Sequence, residues 1–318
     1  MTKTALLCTA LLLSSQSCTR KAETAARTLR IGFQKWGTFS ILKASGKLAQ
    51  DFKPKGVAIE WIEFPAGPPL LEAMNAGSID LGHTGDSPPL FAEAADIPFV
   101  YFACSSASPE SSAILVKRES RIRSAADLRG RRVAFAKGSS AHTMVLRYLE
   151  KNGISLGEIT PIYLPPADGR AALEAGSVDA WSIWDPYLAV AQQDGGYQAL
   201  TTGNGYVDGR EFYLASRRIV ERDPQLVRDF LTELKSVKAW AKEHISDVNR
   251  FLAADTGIPL TAVDLAESRR HRYETQAMTE DVIASQQSLA NRYFEIGLLP
   301  KKIDVKPDVW DLTHDGSN

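Results

Sequence analysis

"AGSVDAWSIWDPYL" (175–188) repeats the pattern of "AGSIDLGHTGDSPPL" (76–90), and this repeat decides the fold of the chain. Both stretches contain Ala-Gly-Ser, a β-branched residue and Asp, and Asp86 in the earlier one matches Asp185 in the later one. A second pair of stretches, "RIGFQK" and "RVAFAK", precedes them in the same order. Since both pairs are separated by about 100 residues, they predict two lobes of like topology.

Strand and helix patterns alternate within each repeat. In the first repeat, strands are predicted at 29–34, 57–64 and 78–85, and a helix is predicted over 37–52 from its apolar spacing. Alternation of this kind is typical of an α/β layer with a largely parallel sheet. The predicted fold class is therefore α/β, with mixed sheets flanked by helices and a ligand cleft between two lobes.

Two apolar, extended stretches are suited to carry the chain between the lobes. They are "SAILVK" (112–117) and "EFYLAS" (211–216), which we interpret as hinge strands. This interpretation assigns residues 29–112 and 212–318 to the first lobe. The second lobe then consists of residues 113–211, including the hinge strands.

Composition limits the classes of partner. The chain has 318 residues, 44% of them hydrophobic and 24% charged, and a formal net charge of −1, so it shows no basic surface suited to nucleic acid. The loop "AKGSSAH" (136–142) lacks the spacing of a nucleotide-binding P-loop. The five histidines are scattered, without Cys or His at metal-ligand spacing. No metal, cofactor or nucleic acid is predicted.

The first 28 residues read as a signal peptide followed by a polar leader. Lys3 precedes a short apolar run from Ala5 to Leu13, which is too short to span a bilayer and is typical of an export signal. Cys18 lies where a bacterial lipoprotein would carry its lipid, although Ser15 replaces the usual leucine. The alternative is plain cleavage near Ala25. Either reading predicts a periplasmic protein, in the first case anchored through Cys18.

Four loops are expected to face the cleft, because ligands in open α/β sheets bind beyond the carboxyl ends of the strands. The loops are "QKWGT" (34–38), "HTGDS" (83–87), "AKGSSAH" (136–142) and "SIWDP" (182–186). Three of them run directly into a helix, whose first N–H groups and positive dipole end attract anions. Thr84, Ser139 and Ser140 add hydroxyl donors. Together these loops predict a site for a small anion.

Two tryptophans in these loops suggest an apolar wall. Trp36 belongs to the first lobe and Trp184 to the second, so their rings could hold an apolar substituent between them. Trp181 points to the opposite strand face and is expected in the core.

Two aspartates and a histidine in the loops have more than one reading. Asp86 and Asp185 are candidate ligand contacts, but a bare carboxylate repels an anion, so we favour helix capping for both. His142 lies at a helix start, where it is either a helix-surface residue or a donor in the cleft.

Several motifs resemble the aliphatic-sulfonate-binding proteins of bacterial ABC importers, which belong to the wider nitrate- and taurine-type solute receptors. The motifs are "RIGFQKWG", "EWIEFPAGPPLLEAMNAGSIDLGHTGDSPPLFAEAA", "VAFAKGSSAHTMVLRYL", "YLPPADGRAALEAGSVDAWSIWDPYLA" and "LLPKKIDV". The resemblance extends over about 29–312. It implies the two-lobed periplasmic-binding-protein fold of type II. It also implies capture of an alkanesulfonate and its delivery to a membrane permease whose ATPase is a separate chain, by a receptor that is usually monomeric.

The resemblance also implies which residues contact the anion. They are Gln34, Thr84, Gly85, Asp86, Ser139, Ser140, Trp184 and Asp185, with Arg270 as a more distant counter-charge. Trp36 and His83 stand where relatives often have smaller residues, which leaves the preferred tail open.

Other functions remain possible at this point. Receptors of the same class bind taurine, nitrate or pyrimidine-type precursors, but nitrate has no tail for the tryptophans to hold. An enzyme on this fold would need a nucleophile, an acid–base pair or a cofactor lysine in the cleft. Lys35 and Lys137 occupy matching repeat positions, and Ser140 and His142 are two residues apart on a helix and cannot face each other. An enzyme is therefore not predicted.

Overall fold

The computed structural model describes residues 27–270 and 274–310. The predicted signal, Cys18 and the leader up to residue 26 lie outside the described residues. Within the described residues, no helix is both long enough and apolar enough to cross a bilayer.

The strands of the described chain form two sheets. The strands are β1 Arg27–Gln34, β2 Val57–Phe64, β3 Leu81–Thr84, β4 Phe99–Ser105, β5 Ser112–Lys117, β6 Arg132–Phe135, β7 Thr160–Tyr163, β8 Ala180–Trp184, β9 Tyr197–Thr202, β10 Phe212–Ser216 and β11 Thr275–Gln276. The larger sheet has the order β11-β4-β10-β3-β1-β2, and the smaller one has the order β7-β6-β8-β5-β9. We call the layers built on them the larger and the smaller lobe.

Helices cover the faces of both sheets. They are α1 Thr38–Ser45, α2 Lys47–Phe52, α3 Gly67–Asn75, α4 Ser87–Ala94, α5 Ser140–Lys151, α6 Pro166–Glu174, α7 Tyr187–Gln193, α8 Arg217–Arg222, α9 Pro224–Glu243, α10 Ile245–Thr256, α11 Leu260–Ser268 and α12 Glu280–Glu295. The predicted helix over 37–52 is interrupted at Gly46, which adopts a left-handed conformation with φ of 66° between α1 and α2. Glycine reaches this region without a steric penalty, so the chain turns there.

Both sheets mix parallel and antiparallel strands in the same scheme. In the larger sheet β1 is parallel to β2 and β3, whereas β10 is antiparallel to β3 and β4. In the smaller sheet β6 is parallel to β7 and β8, whereas β5 is antiparallel to β8 and β9. The predicted mixed α/β architecture is confirmed.

The sequence repeat is also a repeat of side-chain contacts. In each lobe an arginine on the first strand of the repeat binds the aspartate of the Gly-Ser-β-branched-Asp motif and the carbonyl of its glycine. The backbone N–H of the same arginine donates to that aspartate, at 3.0 Å in one lobe and 2.8 Å in the other. The two sets are Arg30, Asp80 and Gly77, and Arg132, Asp179 and Gly176. Two lobes of like topology follow from both the pairing and these contacts.

The chain passes between the sheets twice. Residues 106–111 connect β4 to β5, and residues 203–211 connect β9 to β10. Both predicted hinge strands therefore lie inside one sheet each, β5 in the smaller and β10 in the larger, directly after a crossing. The lobe boundaries at 112–113 and 211–212 remain predictions.

The cores lie on the sheet faces. Apolar side chains from both faces of the larger sheet form two buried clusters, and the faces of the smaller sheet form two more. Trp181 is buried in one of them, as predicted, and packs close to Gly169 of α6.

Candidate functional site

A cavity of about 110 Å³ lies between the two sheets, and all four predicted loops reach it. Nine of the eleven predicted site residues line it: Gln34, Trp36, Thr84, Gly85, Ser139, Ser140, Trp184, Asp185 and Arg270. Asp86 and His142 are absent from the lining.

Three of the four helices that begin at the predicted loops are already capped by carboxylates. Glu211 accepts from the backbone N–H of Thr38 at the start of α1, at 3.2 Å. Asp86 caps α4 at 2.8 Å, and Asp185 accepts from the first turn of α7 at 3.1 Å. The capping predicted for both aspartates is confirmed. Because each carboxylate takes the place of an external anion, these helix starts do not converge on one ligand as expected.

The remaining helix start, that of α5, has no side-chain cap. Its N-cap residue Ser139 uses its hydroxyl for the carbonyl of Ala136, at 2.7 Å. Ser139 and Ser140 both line the cavity. In the described chain, α5 is thus the one of these four helices that presents uncapped N–H groups to the cavity.

Lys238 of α9 lines the cavity and was missed by the sequence analysis. It is only 2% exposed, and its Nζ donates to Tyr213 Oη at 3.0 Å and to the carbonyl of Glu274 at 2.7 Å. Burial lowers its pKa to about 8, against the attraction of Glu211. A signal existed, because Lys238 follows Leu234 by four residues on the apolar stripe of this helix.

Glu211 also lines the cavity and was missed. Its carboxylate accepts from Thr38 Oγ1 at 3.0 Å and from Tyr213 Oη at 3.3 Å, and it lies 3.5 Å from Arg270. Burial alone would raise the pKa of Glu211, but Arg270, His83 and Lys238 together lower it to about 2. It is therefore ionised at neutral pH.

Arg270 is part of the cavity wall. Its guanidinium lies 5.8 Å from the ring centre of Trp36, 3.5 Å from Glu211 and 3.7 Å from Glu267. Arg210 lines the cavity as well and donates to the carbonyl of Ser105 at 2.8 Å.

Asp185 forms an ion pair with Arg269, another residue that the sequence analysis missed. Arg269 Nη1 lies 2.8 Å and 3.0 Å from the two carboxylate oxygens, and its Nη2 donates to Gln192. Burial raises the pKa of Asp185 to about 6, and the charge of Arg269 opposes the rise. The cavity lining therefore contains three cations (Lys238, Arg210 and Arg270) and two carboxylates (Asp185 and Glu211), and Asp185 is paired with Arg269, which lies outside the lining.

Asp86 lies behind the cavity rather than in its lining. Besides capping α4, it accepts from Thr143 Oγ1 at 3.2 Å and from the side chain of Ser140. Burial raises the pKa of Asp86. The expectation that Asp86 contacts the ligand is not supported, because its carboxylate is used between the lobes.

His142 fits neither of its two predicted readings. It is fully buried, and its ring packs among Phe91, Phe135, Tyr163 and Tyr293 at centroid distances of 4.9–6.4 Å. Its Nδ1 accepts from the backbone N–H of Gly138 at 3.3 Å. Burial, with Lys137 nearby, lowers its pKa to about 4. His142 is therefore a neutral residue of an aromatic cluster, neither exposed nor in the cavity.

The two predicted tryptophans lie on opposite lobes. Trp36 follows β1 of the larger sheet, and Trp184 ends β8 of the smaller sheet, where its ring meets Tyr187 edge-on at 6.4 Å. His83 is also in the lining; burial lowers its pKa, and its Nε2 accepts from the N–H of Gln34 at 3.2 Å. In the described residues, no cluster of His, Cys, Asp or Glu could hold a metal ion.

Known proteins share this architecture. The structure is similar to the alkanesulfonate-binding protein SsuA from Xanthomonas axonopodis pv. citri bound to MOPS, with 41% identity, a TM-score of 0.84, and coverage of 89% of this chain and 98% of the other. It is also similar to the periplasmic aliphatic sulphonate binding protein SsuA from Escherichia coli, with 39% identity, a TM-score of 0.79, and coverage of 89% and 97%.

A more distant relative is the taurine-binding periplasmic protein of Escherichia coli (strain K12), which is 27% identical over 182 residues, 56% of either chain. The similarity to solved periplasmic receptors over nearly nine-tenths of the chain confirms the two-lobed periplasmic-binding-protein fold. Residues 22–256 match the model of one family, and we conclude from this match that the chain belongs to the NMT1-like family.

Proposed function

We propose that the protein is an extracytoplasmic receptor that binds aliphatic sulfonates in the cavity between its lobes. It would deliver them to an ABC import permease with a separate ATPase, for sulfur acquisition. One observation supports the anion site above all others: the uncapped start of α5 faces a cavity with excess positive charge and a tryptophan on either lobe.

The chemistry of a sulfonate matches these groups. Its three oxygens share a charge that persists at any physiological pH, and they can accept from the uncapped N–H groups at the start of α5, where Ser139 and Ser140 line the cavity. Its one carbon substituent can lie against Trp36 and Trp184. Charge-assisted hydrogen bonds of about 1.5–3 kcal/mol each would reach the roughly −8 kcal/mol of micromolar binding with four or five contacts.

Competing anions fit less well. Sulfate would turn its fourth oxygen toward tryptophan, at a cost of about 1–3 kcal/mol for an unsatisfied acceptor. Nitrate is planar and has no substituent for the rings to hold. We propose Gln34, Trp36, Thr84, Gly85, Ser139, Ser140, Trp184, Asp185 and Arg270 as the ligand-binding set, with Lys238 added and with Asp86 and His142 removed.

Taurine is the second candidate, because a carboxylate that is not paired with Arg269, that of Glu211, lines the cavity. Taurine has an ammonium group on its tail, and Glu211 lines the cavity in its ionised form. Glu211 is already engaged by Thr38 and Arg270, so an alkanesulfonate without an ammonium is favoured.

We also propose that the protein acts as a receptor and not as an enzyme. Lys238 has the lowered pKa that a nucleophilic lysine needs, but its ammonium is engaged by Tyr213 and Glu274. The hydroxyl of Ser139 is likewise used by a backbone carbonyl. The relatives described above are binding proteins.

A periplasmic location and a monomeric state complete the proposal. The export signal supports the periplasmic location. We further propose that a lipid on Cys18 anchors the protein to the membrane. Palmitate labelling of cells that express wild type or Cys18→Ala distinguishes the two. Loss of label in the variant supports the anchor, and an unlabelled wild type rules it out.

The function is tested by calorimetric titration of the purified protein with ethanesulfonate, taurine, sulfate and nitrate. We expect micromolar binding of ethanesulfonate, at least tenfold weaker binding of sulfate, and a loss of tenfold or more in Trp184→Ala. Trp240→Ala is the matched control, because Trp240 stacks on His244 and Phe251 outside the cavity. Equal binding of sulfate and ethanesulfonate would contradict the proposal.

A further inference from the structure

Arg269 and Arg270 are consecutive, yet their side chains serve different walls of the cavity. Arg270 lines the cavity beside Trp36 and Glu211. Arg269, at the end of α11, instead reaches Asp185, which directly follows the cavity residue Trp184. The guanidinium of Arg269 therefore connects the segment that carries Arg270, on one cavity wall, to the segment that carries Trp184, on the opposite wall.

The ion pair joins the two lobes. Asp185 follows β8 of the smaller sheet. α11 packs against α10, which packs in turn on α1 and α9 of the larger lobe. α11 also packs against α7, the helix that begins after Asp185. The Arg269–Asp185 pair thus lies at the contact where α7 of one lobe meets α11 of the other.

The pair is almost completely removed from water. The side chain of Asp185 is 2% exposed and that of Arg269 is 13% exposed, and the carboxylate receives both contacts from one guanidinium nitrogen at 2.8 Å and 3.0 Å. Each partner makes one further contact nearby: Arg269 donates to Gln192, and Asp185 accepts from Ala189. A buried ion pair contributes little net energy, but removal of one partner leaves an uncompensated charge and is strongly unfavourable.

We propose that Arg269 is a positioning residue for ligand capture. It supplies the counter-charge that allows Asp185 to be buried against the larger lobe, and it thereby holds the Trp184 wall of the cavity against the Arg270 wall. Arg269 does not line the cavity, so its effect on the ligand acts through Asp185 and Trp184. The inference rests on the proposed sulfonate-binding function.

The first measurement is stopped-flow binding of ethanesulfonate to wild type and Arg269→Met at pH 7.5. We expect the dissociation rate constant to rise 30- to 100-fold, with the association rate constant changed less than threefold, because the pair forms only when the lobes meet. Arg269→Lys keeps the charge and should recover part of the loss. The double variant Arg269→Met/Asp185→Asn should release the ligand more slowly than Arg269→Met.

Arg132→Met is the matched control. It breaks an arginine–aspartate contact, to Asp179, whose partners are more exposed than Arg269 and Asp185 and both belong to the smaller lobe. We expect its dissociation rate to stay within threefold of wild type. Equal losses in Arg132→Met and Arg269→Met, or an unchanged rate in Arg269→Met, would overturn the proposal.

A pH series separates positioning from a merely structural role. The charged groups that act on Asp185 are Arg269 and Arg270. Without Arg269, Asp185 should be buried most easily in its protonated form, so the affinity of Arg269→Met should recover at least fivefold between pH 7.5 and 5.5. If the affinities of the variant and of wild type change by the same factor between pH 7.5 and 5.5, this role is contradicted.

One readout is independent of the ligand. The N–H of Ala189 donates to Asp185, so its hydrogen exchange reports on how firmly the carboxylate is held. We expect exchange at least tenfold faster in Arg269→Met and unchanged in Arg132→Met. If wild type binds no sulfonate, the proposed function fails, and the exchange result alone decides the role of Arg269.

Discussion

Asp86 and Asp185 occupy matching positions of the two repeats, and each one caps the helix that follows it. Their other partners differ. Asp86 accepts from the hydroxyls of Thr143 and Ser140, whereas Asp185 faces the guanidinium of Arg269. Both aspartates reach across to the opposite lobe. Duplication supplied the same carboxylate twice, and one copy now uses neutral donors while the other uses a charge.

The residues just before the two aspartates differ for a related reason. Gly85 precedes Asp86 at a place where the lobes touch, and a Cβ there would lie 1.8 Å from Ser140 Oγ. Trp184 precedes Asp185 at a place where the cavity leaves room for a large ring. The tryptophan in an otherwise ordinary strand end is therefore explained by the open space in front of it, and the glycine by the absence of space.

The largest effect is expected from exchanging each aspartate for asparagine. Asp185→Asn leaves Arg269 buried without a counter-charge and should weaken ethanesulfonate binding by about 3 kcal/mol, roughly 100-fold. Asp86→Asn keeps an acceptor for the N–H of Ser87 and for Thr143, so it should lose about 1 kcal/mol or less. Calorimetric titration of both variants with ethanesulfonate measures the two losses of affinity. Equal losses would show that the charge of Arg269 does not make the Asp185 contact different from the Asp86 contact.

A somewhat smaller effect is expected at the glycine. Gly85→Ala places a methyl group against Ser140, and overpacking of this kind costs about 2 kcal/mol, or roughly 30-fold in affinity, by keeping the lobes apart. Gly196→Ala is the control, because no atom lies within 4 Å of the added Cβ. Both are measured by titration with ethanesulfonate. A Gly85→Ala protein with wild-type affinity would contradict the close lobe contact.

The repeat made the fold and the cavity loops predictable, because strand order and loop position depend on local patterns such as Arg-β-branched-small-Phe and Gly-Ser-β-branched-Asp. The roles of single residues were less accessible. Glu211 and Arg269 act on parts of the chain that are distant in sequence, at Thr38 and Asp185, and no local pattern predicts such pairings. The burial of Lys238 was predictable from the sequence, since a lysine on an apolar helix stripe indicates a buried charge.

The prediction for His142 was wrong for a different physical reason. A histidine at the start of an amphipathic helix has no local feature that distinguishes solvent, cavity and core. Here α4 and α12 of the larger lobe bring Phe91 and Tyr293 against it, and Phe135 of its own lobe stacks on it at 4.9 Å. The environment of His142 thus depends on how the two lobes pack against each other, and this packing cannot be predicted from the sequence around His142.

The smallest effect concerns His142, which is buried among aromatic side chains of both lobes. His142 has a pKa of about 4 in the folded protein against an ordinary value of 6.5. Below pH 6.5 the unfolded chain binds a proton that the folded chain does not, so stability is complete above pH 6.5 and is lost as pH falls toward 4. By pH 5.5 this loss should reach about 1.4 kcal/mol.

Urea unfolding of wild type and His142→Phe at pH 7.5 and 5.5 measures this loss directly. Phe can take part in the same aromatic stack but cannot be protonated, so the variant should lose about 1.3 kcal/mol less than wild type over this interval. Subtraction of the two profiles removes the titration of carboxylates such as Asp86, which both proteins share. Identical profiles would mean that His142 is hydrated enough to be protonated in the folded protein, and that the aromatic cluster between the lobes tolerates a charge as the Arg269–Asp185 contact does.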